Sequence, residues 1–153
     1  MKRPDGLLPD RVRLDWLVGD VRGLLRLAAA DLAAAGLVRD AIGTERALVE
    51  RESVQTTALG AGIAIPHART DRCDAPRFLA ARLGMAIDFD SPDGIPVDLV
   101  FVLVGPTDDP AAHVKQLGRL ARLLQRPGFA QALRTAPDEE AFRRVFELEA
   151  AAA

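Results

Sequence analysis

The feature that most constrains the fold is an apolar run near the middle of the chain. Residues Val97 to Val104 are almost all apolar and rich in β-branched side chains, and Gly105-Pro106 follows them. The run is too short to cross a bilayer. Successive side chains of a strand point to opposite faces, so an unbroken apolar run indicates a strand that is buried on both faces. The sequence therefore predicts a central strand with other layers packed on each side.

Helical patterns lie on either side of that strand in the sequence. Asp20 is a capping residue for a first helix that ends at Gly36. A second helix is predicted from about Asp40 to Glu52, with the inward-facing side chains Ile42, Leu48 and Val49. Asp109-Pro110 is a typical start of a third helix, since proline suits the first helical position. A short helix and a last helix capped by Thr135 complete the prediction.

Further strands are predicted on the N-terminal side of the central run. Val12 to Trp16 alternates apolar and charged residues, and Phe78 to Ile87 resembles a strand followed by turn residues. Thr56 to His67 has the pattern of a turn, a glycine-kinked strand and a proline stop. We therefore expect one α/β domain over residues 1–153, with its core at about 8–148. Its architecture should be a three-layer α/β/α arrangement with a mixed central β-sheet flanked by helices.

Composition limits the possible partners and compartments. The 153 residues carry 20 basic and 22 acidic side chains, so the net charge of −2 gives no electrostatic footprint for nucleic acid. Cys73 is the one cysteine, which allows no internal disulfide. The first residues, Met1 to Gly6, lead into a segment broken by charges rather than into the apolar core of a signal peptide. We expect a cytoplasmic protein that does not insert into the membrane.

The chain has two histidines, His67 and His113. His67 follows an apolar strand and Pro66, so it lies at a strand end, where α/β sheets commonly place ligands. A loop histidine without a role fits that position equally well. His113 falls in the first turn of the third helix and shares a face with apolar residues. A helix N-terminus attracts anions and disfavours an imidazolium, although a histidine satisfied by backbone fits there too.

Arg51 is the third candidate, in the last turn of the second helix. A cation there interacts favourably with the helix dipole, which would explain it without any function. A guanidinium is also the side chain best shaped to hold phosphate oxygens through two parallel hydrogen bonds.

These residues belong to a series of motifs in one order. Arg51-Glu52, Thr56-Thr57 and the segment from Leu59 to His67 resemble the sequence around the phosphorylated histidine of the mannitol/fructose class of phosphotransferase-system enzyme IIA. The resemblance includes the nitrogen-regulatory relatives and continues downstream over most of the chain, through the segments Pro96 to Pro106, His113 to Leu124 and Glu139 to Phe142.

The resemblance implies a role for each candidate residue. His67 would accept the phosphoryl group, His113 would be its neighbour in the active site, and Arg51 would be the cation beside the phosphate. The implied partners are the phosphocarrier protein HPr or a paralogue as donor, and an enzyme IIB domain or a regulated target protein as recipient. No cofactor or metal is implied. Ala68 departs from the family pattern, in which many members have a glycine that tolerates positive φ.

Three alternatives to a phosphoryl carrier for sugar transport remain open. The first is a nitrogen-type regulator whose phosphorylation state controls a target protein. A more distant possibility is a metal-dependent hydrolase in which His67, His113 and a carboxylate, Asp71 or Asp109, hold the metal. A degenerate binding module is the third, although Arg51, His67 and His113 are all present.

Overall fold

The structure is a computed structural model that describes residues 7–152; residues 1–6, used above for the signal-peptide prediction, and residue 153 lie outside them. Over the described residues the chain forms six strands and five helices. In chain order these are β1 (Arg11–Trp16), α1 (Val21–Ala34), α2 (Ala41–Val54), β2 (Ala58–Gly60), β3 (Ile63–Ala64), β4 (His67–Thr70), β5 (Arg77–Ile87), β6 (Val97–Pro106), α3 (Pro110–Leu124), α4 (Phe129–Thr135) and α5 (Glu139–Ala152).

Strand β6 is the centre of the sheet, as the apolar run predicts. The strand order is β1-β5-β6-β3-β2, and β4 also pairs with β6. Strand β5 is antiparallel to β6, whereas β3 and β4 run parallel to it and β1 runs parallel to β5. The prediction of a mixed sheet is therefore confirmed. Every residue of β6 except Asp98 and Pro106 is buried, because both faces of the strand are covered.

Two hydrophobic clusters cover the two faces of the sheet. Side chains of α1 and α2 pack with one set of β6 residues, including Val100 and Val102. Side chains of α3, α4 and α5 pack with the alternate set, including Leu99 and Phe101. This alternation follows from the period of two along a strand. The predicted three-layer α/β/α fold is confirmed.

The α3–α5 face contains a cluster of aromatic rings around Phe146. That ring lies 5.0–5.9 Å, between centroids, from four other phenylalanines: Phe78, Phe101, Phe129 and Phe142. Edge-to-face pairs of this kind contribute roughly 0.5–1.5 kcal/mol beyond the burial of their area. The cluster fixes α4 and α5 on the sheet.

Two sequence-based predictions about helices are wrong in detail. Ile42 was expected to face inward on α2, but its side chain is 70% exposed, and the buried positions of that helix are Thr44 and Leu48. Thr135 ends α4 rather than capping α5. Asp138 takes the capping role, since its carboxylate accepts a hydrogen bond from the N–H of Ala141 at 2.8 Å.

The segment before His67 differs from the predicted single kinked strand. It forms a short hairpin of β2 and β3, whose turn contains Gly60 and Gly62 at positive φ. Both β3 and β4 then pair with β6 in the parallel direction. Ile65-Pro66 separates these two short strands, which follow one another along β6. His67 therefore begins a new strand where the sequence predicted that a strand ends.

Candidate active site

A surface depression lies where β4 meets the ends of α2 and α3. Each of these elements contributes three consecutive or closely spaced residues to its lining: Ala47, Glu50 and Arg51 from α2, His67, Ala68 and Arg69 from β4, and His113, Val114 and Leu117 from α3. All three residues singled out from the sequence therefore line one depression, although 62 positions separate the first from the last. Val114 is 68% exposed and gives the rim an apolar part.

The two imidazoles face each other across this depression. Their ring centroids are 5.7 Å apart and the ring planes are inclined by 48°. At this separation, an atom or small group bound to one ring lies close enough to interact with the other. The pairing depends on tertiary structure, because His67 begins a strand and His113 lies in a helix 46 residues later.

The backbone fixes the tautomer of His67. Its Nδ1 lies 2.8 Å from the carbonyl oxygen of Ile65, and a carbonyl can only accept a hydrogen bond. In the neutral ring, Nδ1 therefore carries the proton and Nε2 carries the lone pair. Pro66 lies between Ile65, which supplies the acceptor, and His67, which supplies the donor, and its ring fixes φ in this short connection. The local chain thus leaves Nε2 as the ring nitrogen whose lone pair is free to act as a nucleophile.

The surroundings of His67 also favour the neutral ring. Partial burial lowers its pKa below the usual value of 6.5, and the positive charge of Arg51 lowers it further. The hydrogen bond to Ile65 and the carboxylate of Glu52 act in the opposite direction without reversing the shift. The ring is therefore mostly unprotonated near pH 7, which is the form that can attack an electrophile.

His113 is held differently. Its side chain is only 6% exposed, and its Nδ1 is buried without a hydrogen-bond partner. Gly105 makes room for the ring, because a Cβ at that position would lie 2.7 Å from Nδ1. With Nδ1 enclosed against β6, Nε2 is the nitrogen that remains for the depression.

The pKa of His113 falls to about 4, first because the ring is buried and then because of the charges of His67 and Arg69. The sequence predicted a disfavoured imidazolium from the helix N-terminus, and in the structure burial is the largest cause. The predicted helix start is confirmed, since Asp109 accepts a hydrogen bond from the N–H of Ala112 at 3.1 Å. His113 is thus a neutral group at pH 7.

Arg51 has the structural role at the helix end that the sequence offered, and it also lies in the depression. Its Nη1 donates to the carbonyl oxygen of Gln55 at 3.0 Å, which satisfies one carbonyl group at the C-terminal end of α2. The same side chain lines the depression and its charge acts on His67. The helix end therefore positions a guanidinium near His67 while leaving other N–H groups of that guanidinium available.

Two neighbours with structural roles complete the motif around Arg51. The Glu52 carboxylate accepts hydrogen bonds from the backbone N–H and the hydroxyl of Thr57, each at 2.6 Å. The Thr56 hydroxyl donates to the carbonyl oxygen of Phe89 at 2.6 Å. These bonds fix the connection between α2 and β2, so the hydroxyl groups of the motif position the site rather than line it.

Arg69 is the lining residue that the sequence analysis missed. The strand was predicted to stop at Pro66, which left Arg69 in a loop without a defined direction. In β4 it lies two residues after His67, so the two side chains point to the same face while Ala68 and Thr70 are buried on the other. The strand period of two continues after Pro66, and this continuation was the signal that would have identified Arg69.

Ala68 has no positive φ, so its departure from the family glycine causes no backbone strain here.

The carboxylates of the hydrolase hypothesis lie elsewhere: Asp71 pairs with Arg72 at 3.2 Å, and Asp109 caps α3. Among residues 7–152 no group of three or more His, Cys, Asp and Glu side chains is placed to hold a metal ion. No helix within the described range is long and apolar enough to cross a membrane.

Solved structures of enzyme IIA components share this fold. The crystal structure of nitrogen regulatory protein IIA-Ntr from Neisseria meningitidis superposes with a TM-score of 0.81 at 29% identity, covering 89% of this chain and 92% of that one. Enzyme IIA mannitol of Escherichia coli, in its complex with phosphorylated enzyme IIB mannitol, shares the fold with a TM-score of 0.77 at 18% identity, covering 92% of this chain and 96% of that one.

Sequence comparison gives the family directly. Residues 7–148 match the family described as the phosphoenolpyruvate-dependent sugar phosphotransferase system, EIIA 2, and the chain belongs to it. A nitrogen regulatory protein of Bradyrhizobium diazoefficiens is 45% identical over 106 residues, 69% of each chain. The fructose-specific EIIA component of Haloferax volcanii is 37% identical over 127 residues, 83% of this chain and 80% of that protein. Members of this family are phosphotransfer proteins.

Proposed function

We propose that this protein is a phosphohistidine carrier that accepts a phosphoryl group from an HPr-like phosphocarrier protein on Nε2 of His67. It then passes the group to an enzyme IIB domain, in the cytoplasm where these carriers meet. The observation that carries the proposal is the 2.8 Å contact between Nδ1 of His67 and the carbonyl oxygen of Ile65. That contact leaves Nε2 unprotonated and directs its lone pair away from the backbone.

The transfer step balances without a cofactor. The Nε2 lone pair attacks the phosphorus of the donor's phosphohistidine, and a new N–P bond forms as the donor's N–P bond breaks. The electron pair of the broken bond returns to the donor imidazole. His67 then carries a positive ring, with a proton on Nδ1 and the phosphoryl group on Nε2. The Ile65 carbonyl stabilises that ring, since hydrogen bonds to charged donors are stronger.

Two neighbours would stabilise the transferring group. Arg51 brings N–H donors to the oxygens of the phosphoryl group, and a guanidinium keeps its charge throughout the reaction. His113, neutral because its pKa is about 4, would interact through Nε2. Phosphoryl transfer depends mainly on such positioning and charge stabilisation. The same site can release the group to a second partner by the reverse chemistry.

A regulatory role is the second candidate. The proteins named nitrogen regulatory protein include the 45% identical relative from Bradyrhizobium and the structural neighbour from Neisseria. In that case the phosphorylation state of His67 would control binding to a target protein, and no sugar would be carried. A change of about −2 charge in a depression with an apolar rim is large enough to alter docking. Transfer to a purified enzyme IIB separates the two candidates.

The test begins with the purified protein and the phosphorylated donor of its host. We expect one phosphoryl group per chain, labile in acid and persistent in alkali, as a phosphoramidate is and a phosphothreonine is not. Uptake should proceed unchanged with a chelator present. A requirement for added zinc would support the metal-dependent hydrolase instead. A chain that takes no phosphoryl group from any donor carrier of its host would contradict the proposal.

A further inference from the structure

We propose that Arg69 is a second phosphoryl-binding residue, whose guanidinium contacts the oxygens of the group on His67. The inference rests on the proposed function and names a residue to which neither the motif nor the family comparison gives a role. Arg69 lines the same depression as His67, Arg51 and His113. It lies two residues after His67 in β4, so strand alternation points both side chains to the same face.

The two guanidinium groups that line the depression differ in their hydrogen bonds. Arg51 already donates one N–H to the carbonyl oxygen of Gln55. Arg69 is exposed, and within residues 7–152 its side chain makes no ion pair or hydrogen bond. A guanidinium offers five N–H donors in a planar fork that fits the oxygens of a phosphoryl group. All five therefore remain available on the side of β4 that carries the nucleophile.

The charge balance of the site also favours a second cation. A phosphoryl group carries about −1.5 to −2 charges near pH 7. His113 is neutral there, since its pKa is about 4, and Glu50 adds a carboxylate to the lining. The positive ring of phosphorylated His67 and the guanidinium of Arg51 together offset about two negative charges, so part of the combined negative charge of the phosphoryl group and Glu50 is left uncompensated. The field of Arg69 already reaches the site, because its charge contributes to the lowered pKa of His113.

The geometry of β4 gives Arg69 a role distinct from that of Arg51. Arg51 approaches from α2 and is tied to the end of that helix, whereas Arg69 approaches along the strand that carries the nucleophile. The backbone of Arg69 is fixed by pairing of β4 with β6, where it lies opposite Gly105. Since Gly105 also accommodates the His113 ring, one position of β6 adjoins both the cation and the second histidine.

The experiment uses phosphorus-31 NMR of the phosphorylated full chain, titrated from pH 5.5 to 9. The phosphoryl group is introduced with phosphoramidate, a small-molecule donor, so that loading does not depend on a partner protein. A nearby guanidinium favours the dianion, so removing it should raise the pKa of the phosphoryl group. We expect Arg69→Gln to raise that pKa by about one unit and Arg69→Lys to raise it less.

The matched control is Arg122→Gln. It removes the same charge from an exposed position of α3 that does not line the depression, and it should leave the titration unchanged. A titration of Arg69→Gln that superposes on those of the wild type and Arg122→Gln would overturn the inference, as would failure of phosphoramidate to load His67. Loading by phosphoramidate but not by any carrier protein would instead contradict the proposed function, while the titration still tests Arg69.

Discussion

The strand side and the helix side of the depression each present one imidazole, and they hold it in opposite ways. On the strand side, the Nδ1 of His67 is satisfied by a backbone carbonyl at 2.8 Å and the ring is only partly buried. On the helix side, the Nδ1 of His113 is buried against Gly105 without a partner. Both pKa values are lowered, and that of His113 falls to about 4.

Under the proposed function, this difference would explain how two histidines in one depression take different roles. A hydrogen bond to Nδ1 would stabilise the cationic ring that phosphorylation creates, and of the two rings only His67 has one. His113 lacks that support, so a positive charge on its ring would be costly to bury. The backbone around each ring, rather than the ring itself, therefore assigns the two roles.

The largest expected effect is from removal of the strand-side ring. His67→Ala should abolish phosphoryl uptake from the carrier protein, because the nucleophile itself is absent. His113 should not substitute for it, since its Nδ1 has no acceptor. Intact-mass spectrometry after incubation with the phosphorylated donor measures this. Uptake by the variant at the level of the wild type would mean that the two histidines are assigned wrongly.

The helix-side ring should matter less. His113→Ala should leave His67 able to accept the group but slow transfer by roughly 100- to 1000-fold, the range for a lost transition-state hydrogen bond of about 2.7–4 kcal/mol. His113→Gln is the matched control, because its amide retains a donor near the position of Nε2. Stopped-flow transfer rates for both variants measure the effect, and equal losses would remove hydrogen bonding as its cause.

Arg51→Lys should have a smaller effect, about a tenfold loss in the rate of uptake, which corresponds to about 1.4 kcal/mol. Lysine keeps the charge but loses the fork that can satisfy Gln55 and the phosphoryl oxygens together. The variant should leave the titration of His113 unchanged, because Arg51 acts on His67. Rates that match the wild type would show that a positive charge alone is sufficient at this position.

The last expected effect is on the stability of the fold and its dependence on pH, not on the rate of transfer. The pKa of His113 is about 4 in the folded protein, against 6.5 when unfolded, so the folded state binds fewer protons between these values. Stability is therefore full above pH 6.5 and falls as the pH drops, by on the order of 2 kcal/mol at pH 5. His67 adds a loss of the same sign.

Urea unfolding at pH 8 and pH 5 measures this loss for the wild type and for His113→Gln. The variant lacks the titrating ring and should lose less stability over the same interval. Equal losses for the two proteins would mean that the helix-side ring does not titrate as its burial implies.

The sequence contains most of the information on the fold because the strongest patterns are local. The apolar run of β6, the cap at Asp20 and the Asp109-Pro110 helix start each depend on neighbouring residues, and each is found as predicted. Ile42 was assigned wrongly because the pattern of α2 is weakly amphipathic, so single apolar residues do not define its inward face. Thr135 and Asp138 are both capping residue types, and only the structure distinguishes them.

The candidate residues of the site could be identified from motifs, but their arrangement could not. The 5.7 Å approach of the two rings depends on how β4 pairs with β6 and how α3 packs against β6, which involves residues far apart in sequence. The tautomer of His67 depends on the carbonyl oxygen of Ile65, and no side-chain pattern indicates the direction of a carbonyl group. Arg69 was missed because proline was taken as the end of a strand that resumes after it.

The most direct test of the account is the position of the N–P bond. Histidine labelled with nitrogen-15 allows NMR to identify both the phosphorylated residue and the nitrogen that bears phosphorus. After loading from the donor phosphocarrier, the account predicts coupling to phosphorus at Nε2 of His67, with Nδ1 still protonated. Phosphorus on Nδ1 of His67, or on either nitrogen of His113, would contradict the claim that the backbone around each ring assigns its role.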